Sequence, residues 1–256
     1  MNLDSPLGTL RQFFKGAWQF YAPLDRGTTD FGTAGATGTV SGALASKGRG
    51  FRKTRQCYWY DGSNDRIDYA KTILIPNTDH TFFAWCIPSP GKTLVEHNPV
   101  TSGASVYASV TANRHANCAM YGGGSWNTAS AYYSIYPGQW NFMAFSYFAA
   151  ATKTVGFCNG YAGTPAVLNR GCYGGAWNTY IGGNANNADP AYQWGGWIGE
   201  VGVLKRSCSI PEIALYYRTF MKARRTAARH NLDYAPAAGG SAVAAMMNSY
   251  RRMRAA

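Results

Sequence analysis

Acidic residues are scarce in this chain: Asp and Glu together number 12 among 256 residues, against 24 Lys and Arg. Retaining glycoside hydrolysis needs two carboxylates about 5 to 5.5 Å apart, which on a strand means acids at alternating positions. Glu96, Glu200 and Glu212 each stand alone, so hydrolysis is not expected. Other catalytic signatures are missing too: there is no Gly-x-Ser-x-Gly, no phosphate-binding loop, and His115-x-x-Cys118 has no second metal-ligand pair. No apolar run reaches the roughly 18 to 20 residues of a membrane span, and the N-terminus shows no charged region leading into an apolar signal core. Cysteine is present but unpatterned. Cys57, Cys86, Cys118, Cys158, Cys172 and Cys208 are scattered, several of them inside apolar runs, which predicts free buried thiols.

What the chain does have is glycine and aromatic side chains: 30 glycines and 15% Phe, Trp and Tyr, with only 14% charged residues. That composition suits many short strands and tight turns packed through large rings. Strand-like runs recur from Trp18 to Leu204, among them Phe51–Tyr60, Arg66–Tyr69, Thr81–Pro88, Ala131–Tyr136, Trp140–Phe148 and Thr154–Asn159. Their spacing predicts a two-sheet antiparallel sandwich. Asn159-Gly160 is the strongest hairpin signal, because both residues accept positive φ.

The ends differ from the middle. Pro6 follows Asp4-Ser5, and Leu7, Leu10 and Phe14 fall on one helical face, predicting a short amphipathic N-terminal arm over residues 1–17. Ser209-Ile210-Pro211-Glu212 is a capping box, and Ile213, Tyr216, Tyr217 and Phe220 form an apolar stripe behind it. That helix is expected to run to about Arg229, followed by a Gly- and Pro-containing linker and a second helix bearing Val243, Met246, Met247, Tyr250 and Met253. The formal charge of +12 is concentrated in two places. One is Lys47, Arg49, Arg52, Lys53 and Arg55; the other is the tail, with Arg224, Arg225, Arg229, Arg251, Arg252 and Arg254. The resulting division is 1–17, 18–218 and 219–256.

The middle segment carries a family resemblance. Trp18-Gln19-Phe20-Tyr21-Ala22-Pro23-Leu24-Asp25, Gly38-Thr39-Val40 and Tyr60-Asp61-Gly62-Ser63-Asn64-Asp65 resemble the opening of a laminin-G-like, concanavalin A-like jelly roll. Phe83-Ala84-Trp85-Cys86-Ile87-Pro88, Trp140-Asn141-Phe142-Met143-Ala144-Phe145, Phe157-Cys158-Asn159-Gly160, Tyr180-Ile181-Gly182-Gly183-Asn184 and Trp197-Ile198-Gly199-Glu200-Val201 continue it in the same order. The resemblance implies an all-β fold of two curved antiparallel sheets that binds ligands on the concave face or at loop rims, often with calcium. It also implies Glu-x-Asp-x-x-Glu where members hydrolyse glucans, a pattern this chain does not contain.

Three sets of candidate residues follow. Asp61, Asn64 and Asp65 offer hard oxygen ligands of the kind calcium takes, and equally the polar residues that a tight turn requires. Trp126-Asn127 and Trp177-Asn178, each following glycines, join Asn184 and Trp194 as an expected sugar platform, with rings for sugar faces and amides for hydroxyls. The basic residues Arg49, Arg52, Lys53 and Arg55 are read as a charged strand edge or as contacts to an acidic partner, with nucleic acid as the other reading. The basic tail is expected to dock into neighbouring subunits of a large assembly. Together these lead to a non-catalytic virion structural subunit, such as a phage capsid decoration or tail-associated protein, made in the host cytoplasm and anchored by its arms. The alternative is a glycan-binding lectin module for host-surface attachment.

Overall fold

The computed structural model describes residues 9–24, 27–47, 56–70, 78–88, 92–97, 106–110, 116–122, 125–131, 135–167, 178–183 and 193–233. A short helix α1 (Thr9–Phe13) leads into β1 (Trp18–Ala22), β2 (Thr39–Ser41), β3 (Leu44–Lys47), β4 (Gln56–Asp61), β5 (Arg66–Tyr69) and β6 (His80–Pro88). Then come β7 (Lys92–His97), β8 (Val106–Val110), β9 (Ala116–Gly122), β10 (Ser125–Ala131), β11 (Asn141–Phe148) and β12 (Lys153–Cys158). The short β13 (Tyr161–Ala162) and β14 (Ala166–Val167) precede β15 (Thr179–Ile181), β16 (Gly195–Leu204) and the helix α2 (Ile210–Asp233).

All strand pairs are antiparallel, and they form two sheets. The first runs β13-β12-β11-β6-β16-β4-β3, with β1 on β16 and β14 on β12; the second runs β10-β9-β8-β7-β15-β5-β2. The fold is therefore an all-β sandwich. Alternation along each strand sends one set of side chains between the sheets. Phe82, Ala84 and Cys86 of β6 and Met143, Phe145 and Tyr147 of β11 meet Ile67, Tyr69, Cys118 and Ile181 of the second sheet in one core. The β12–β13 hairpin turns on Asn159 and Gly160, both at positive φ (50° and 103°), as the sequence predicts.

The opposite set of side chains on the first sheet is covered by helices. Phe83, Trp85 and Phe142 point out of that sheet, and α1 and the start of α2 lie over them. Phe14, just beyond α1, packs 4.5 Å from Phe83 and 5.1 Å from Tyr216, while Phe220 lies 4.3 Å from Trp85, all as ring-centroid distances. Burying a side chain of this size stabilises the fold by about 2 kcal/mol or more. Leu10 and Phe14 are thus consumed within the chain's own body. Of the apolar face expected on the 1–17 arm, Leu10 and Phe14 are therefore not available to a neighbour, and Leu7 lies outside the described residues.

The chain divides into two compact units, Met1–Phe220 and Met221–Ala256. In the second, helical residues continue to Asp233 and carry Lys222, Arg224, Arg225 and Arg229. The expected second helix, with Arg251, Arg252 and Arg254, lies outside the described residues, as do Arg49, Arg52, Lys53 and Arg55.

Two strand expectations are corrected. Residues 125–131, where no strand was expected before Ala131, form β10, paired with β9 from Ser125↔Gly122 to Ala131↔Ala116, so Trp126-Asn127 lies in a ladder strand. The predicted strand at 131–136 accordingly gives way to one ending at Ala131. Strand pairing satisfies the backbone of this small, polar stretch despite its lack of alternation.

Candidate functional site

β4 alternates, with Tyr58 and Tyr60 in the core and Trp59 and Asp61 on the other side. β16 does the same: Ile198 enters the core and Trp197 faces away. Because β16 pairs with β4 in the register Trp197↔Trp59 and Gly195↔Asp61, the two indoles are brought side by side, with centroids 6.5 Å apart and planes tilted by 55°. Both are half-buried. Ile87 of β6 pairs with Trp197 from the other side. Asp61 is exposed next to them, and its Oδ1 accepts the Ser63 N–H at 2.7 Å. Gly195 opposite contributes no side chain, so the carboxylate stands beside an open position of the ladder. Paired indole faces next to a hydroxyl acceptor can hold a polyhydroxylated ring, which combines apolar C–H faces with donor hydroxyls.

The adjoining turn uses the acids that were candidates for calcium. Asp65 is buried, and its Oδ2 accepts the Asp61 N–H at 2.7 Å. Burial raises the Asp65 pKa, partly offset by that backbone bond. Asp61 and Asp65 therefore close the turn through backbone donors, while Asn64 is exposed. Among the described residues no cluster of three or more His, Cys, Asp or Glu side chains is placed to hold a metal.

A second polar group lies on the outer side of the other sheet. β5 buries Ile67 and Tyr69 and leaves Arg66 and Asp68 facing away. The Arg66 guanidinium sits 5.1 Å from the centre of the Tyr180 ring, a cation–π contact. Tyr180 pairs with Asp68 in the ladder. Burial raises the Asp68 pKa, against the opposing pull of Arg66 and a hydrogen bond from Asn178.

The structure separates the residues expected to form a sugar platform. Asn178 joins Asp68 and Arg66, and Trp126 and Asn127 lie on β10, opposite Tyr121 and Met120. Trp177 and Asn184 are outside the described residues. Trp194 is a correction: it is fully buried in the core cluster, where hydrophobic burial outweighs the polar company it keeps in sequence, so its ring cannot stack on a sugar. Trp59 and Trp197 were missed as a site. The alternations Trp59-x-Asp61 and Gly195-x-Trp197 are legible in the sequence, but the register joining them is not.

Glu200 and Glu212 are committed elsewhere. Glu200 is fully buried beneath α1; its Oε2 accepts Thr9 Oγ1–H at 2.8 Å, and its Oε1 accepts the Leu10 N–H at 3.1 Å and the Tyr21 hydroxyl. Glu212 is bidentate with Arg206, which holds its pKa below the usual carboxylate range.

Neither a protein-family model nor a curated protein matches the sequence. Solved structures do match the fold. The binding domain of botulinum neurotoxin serotype D is similar over 79% of this chain and 51% of that chain, at 12% identity and a TM-score of 0.60. Domain 4 of a GH43 extracellular arabinanase from Geobacillus stearothermophilus, in complex with arabinotriose, is similar over 80% of this chain and 100% of that chain, at 16% identity and a TM-score of 0.61. The CBM40 of a Ruminococcus gnavus IT-sialidase, bound to α2,3-sialyllactose, covers 69% of this chain and 96% of its own, at 15% identity and a TM-score of 0.50. This chain spans about half the length of the toxin binding-domain chain. At these identities the likeness is one of fold alone: a two-sheet β-sandwich.

Proposed function

We propose that this protein is a non-catalytic glycan-binding module in which Trp59 and Trp197 form the stacking surface and Asp61 accepts sugar hydroxyls. The observation that carries the reading is the ladder pairing of two half-buried tryptophans beside an exposed carboxylate. The similar solved structures support it, since two of them are complexes with arabinotriose and α2,3-sialyllactose and the third is a toxin's binding domain. The engagement of Glu200 and Glu212 in structural bonds supports binding over hydrolysis, because neither is available to protonate a leaving group. Attachment to a larger assembly would rest on the second unit, where Arg224, Arg225 and Arg229 follow one another along α2.

A glycan array screened with the full chain identifies a ligand, and calorimetry on variants locates it. Trp59→Ala and Trp197→Ala are each expected to weaken binding about five- to thirtyfold, given that stacking on one aromatic ring contributes about 1 to 2 kcal/mol. Asp61→Ala is expected to have a similar effect. Binding that survives all three substitutions but is lost in Trp126→Ala or Trp177→Ala would move the site to the glycine-flanked segments. Release of sugar from a polysaccharide by the wild-type protein would contradict the non-catalytic reading.

A further inference from the structure

A second pocket lies away from the paired tryptophans, between α1, the start of β1 and the loop 31–33. Its volume is about 400 Å³, and Arg11, Phe14, Lys15, Trp18, Phe31 and Thr33 line it. Its charge is of one sign: two cations and no acid are among its lining residues. Arg206 nearby is already neutralised by Glu212. Asp30 beneath the loop is buried, its Oδ1 taken by the N–H groups of Tyr21 and Gly32.

The pocket is built rather than incidental. Gly32 lies so close to β1 that a Cβ there would come within 2.7 Å of the Gln19 and Phe20 backbone. Only glycine lets the loop rest against the strand and form this wall. Thr33 N–H donates to the Trp18 carbonyl at 2.8 Å, and Phe31 N–H to the Tyr21 carbonyl at 2.8 Å, so the loop is held along the strand. One Arg11 nitrogen, Nη1, donates to the Phe31 carbonyl at 3.0 Å. The guanidinium is thereby fixed at the rim, and four of its five N–H donors remain beyond that bond. Phe31 leaves 45% of its surface exposed although it is one of the large apolar side chains. Trp18 is 5% exposed, and its buried Nε1 has no hydrogen-bond partner among the described residues.

A planar donor fork and an ammonium in one pocket with aromatic side chains match a small molecule that joins an anionic group to a ring. We infer that this pocket binds a ring-bearing carboxylate, its carboxylate between Arg11 and Lys15 and its ring against Phe31. A uronic-type sugar and an aromatic acid share that chemistry.

The test is calorimetric titration of the full chain with glucuronate, benzoate, neutral glucose and inorganic phosphate, with NMR of the indole N–H signals to localise binding. Saturable binding of glucuronate or benzoate that shifts the Trp18 indole signal is expected, and which of the two binds tighter identifies the ring. Arg11→Ala and Lys15→Ala are each expected to weaken it about tenfold or more, the scale of one charge-assisted hydrogen bond. Phe31→Ala on the exposed loop is expected to weaken it several-fold. Thermal melts verify that each variant folds, and Arg11→Lys, which keeps the charge, serves if Arg11→Ala does not. The inference is overturned if neither acid binds, if glucose or phosphate binds as tightly as the better acid, or if Lys15→Ala and Phe31→Ala leave affinity unchanged. Trp59→Ala and Trp197→Ala are expected to leave this binding intact, so it fails or stands apart from the stacking site.

Discussion

Thr9 Oγ1 donates to Glu200 Oε2 across 2.8 Å, tying the first helix to the last strand through 191 positions of sequence. The same hydroxyl meets Tyr216 Oη at 2.7 Å, and Tyr216 Oη accepts Trp85 Nε1–H at 2.8 Å. Both helices and two strands of the first sheet are therefore joined by one buried polar network. A network of this kind stabilises only while every member is satisfied.

Glu200→Gln is expected to cost about 2 to 4 kcal/mol of unfolding free energy, since an amide replaces an acceptor that receives several donors with a group that presents its own. Tyr216→Phe strands Trp85 Nε1 and is expected to cost about 1 to 3 kcal/mol. Urea denaturation followed by tryptophan fluorescence measures both. A loss below about 0.5 kcal/mol in Glu200→Gln would mean the network is dispensable.

Acid sensitivity should trace to His80. Its ring is buried 5.3 Å from Tyr147, and Nδ1–H donates to the Thr78 carbonyl at 2.9 Å. Burial lowers its pKa below the ordinary 6.5, with the Thr78 bond and Asp79 opposing. A depressed folded pKa stabilises the fold above 6.5, and that contribution is lost as the pH falls through the folded value. Asp65 and Asp68 slope the other way, because burial raises both; their share is complete below 3.8 and is lost as pH rises. The comparison therefore needs the variant. Between about pH 7.5 and 5.5, His80→Gln should lose less stability than the wild type, and equal losses would remove His80 as the cause.

The thiols should be inert in the folded protein. Cys57, Cys86, Cys118, Cys158 and Cys208 are buried and form no disulfide. Burial pushes the Cys57 thiol up to about 12 and that of Cys208 to about 11. Only thiolates react readily with an aromatic disulfide reagent. At about pH 8 no more than one of the six cysteines is expected to react without denaturant, and all six in guanidinium. Rapid modification of two or more in the native state would contradict the buried placement.

Much of the sandwich was legible because its strands carry their own signal. Arg66–Tyr69 has the predicted bounds, and β6, β11 and β12 lie within a residue of them. Arg66–Tyr69 alternates partly exposed polar with buried apolar residues, while β6 and β11 are near-continuous apolar runs buried on both faces, and both patterns mark strands. β10 escaped because its residues are mostly small and polar and show no alternation. α1 was found, but its destination was not: an amphipathic face predicts burial without naming the partner that buries it. Trp194 was misplaced for the related reason that neighbours in sequence do not report neighbours in space. The pairing of Trp59 with Trp197 depends on β16 entering between β4 and β6, a long-range choice that no local pattern encodes.

That insertion also bears on how the molecule is made. The strand seated between β4 and β6 is the last one the ribosome delivers among the described strands. Until it emerges, a nascent chain holds β4 and β6 with unfilled backbone donors and acceptors along one flank each. Such flanks are templates for intermolecular pairing, and closure over so long a loop is slow. The first sheet must therefore be completed after most of the chain has been synthesised, and premature truncation before residue 195 would leave a product prone to aggregate.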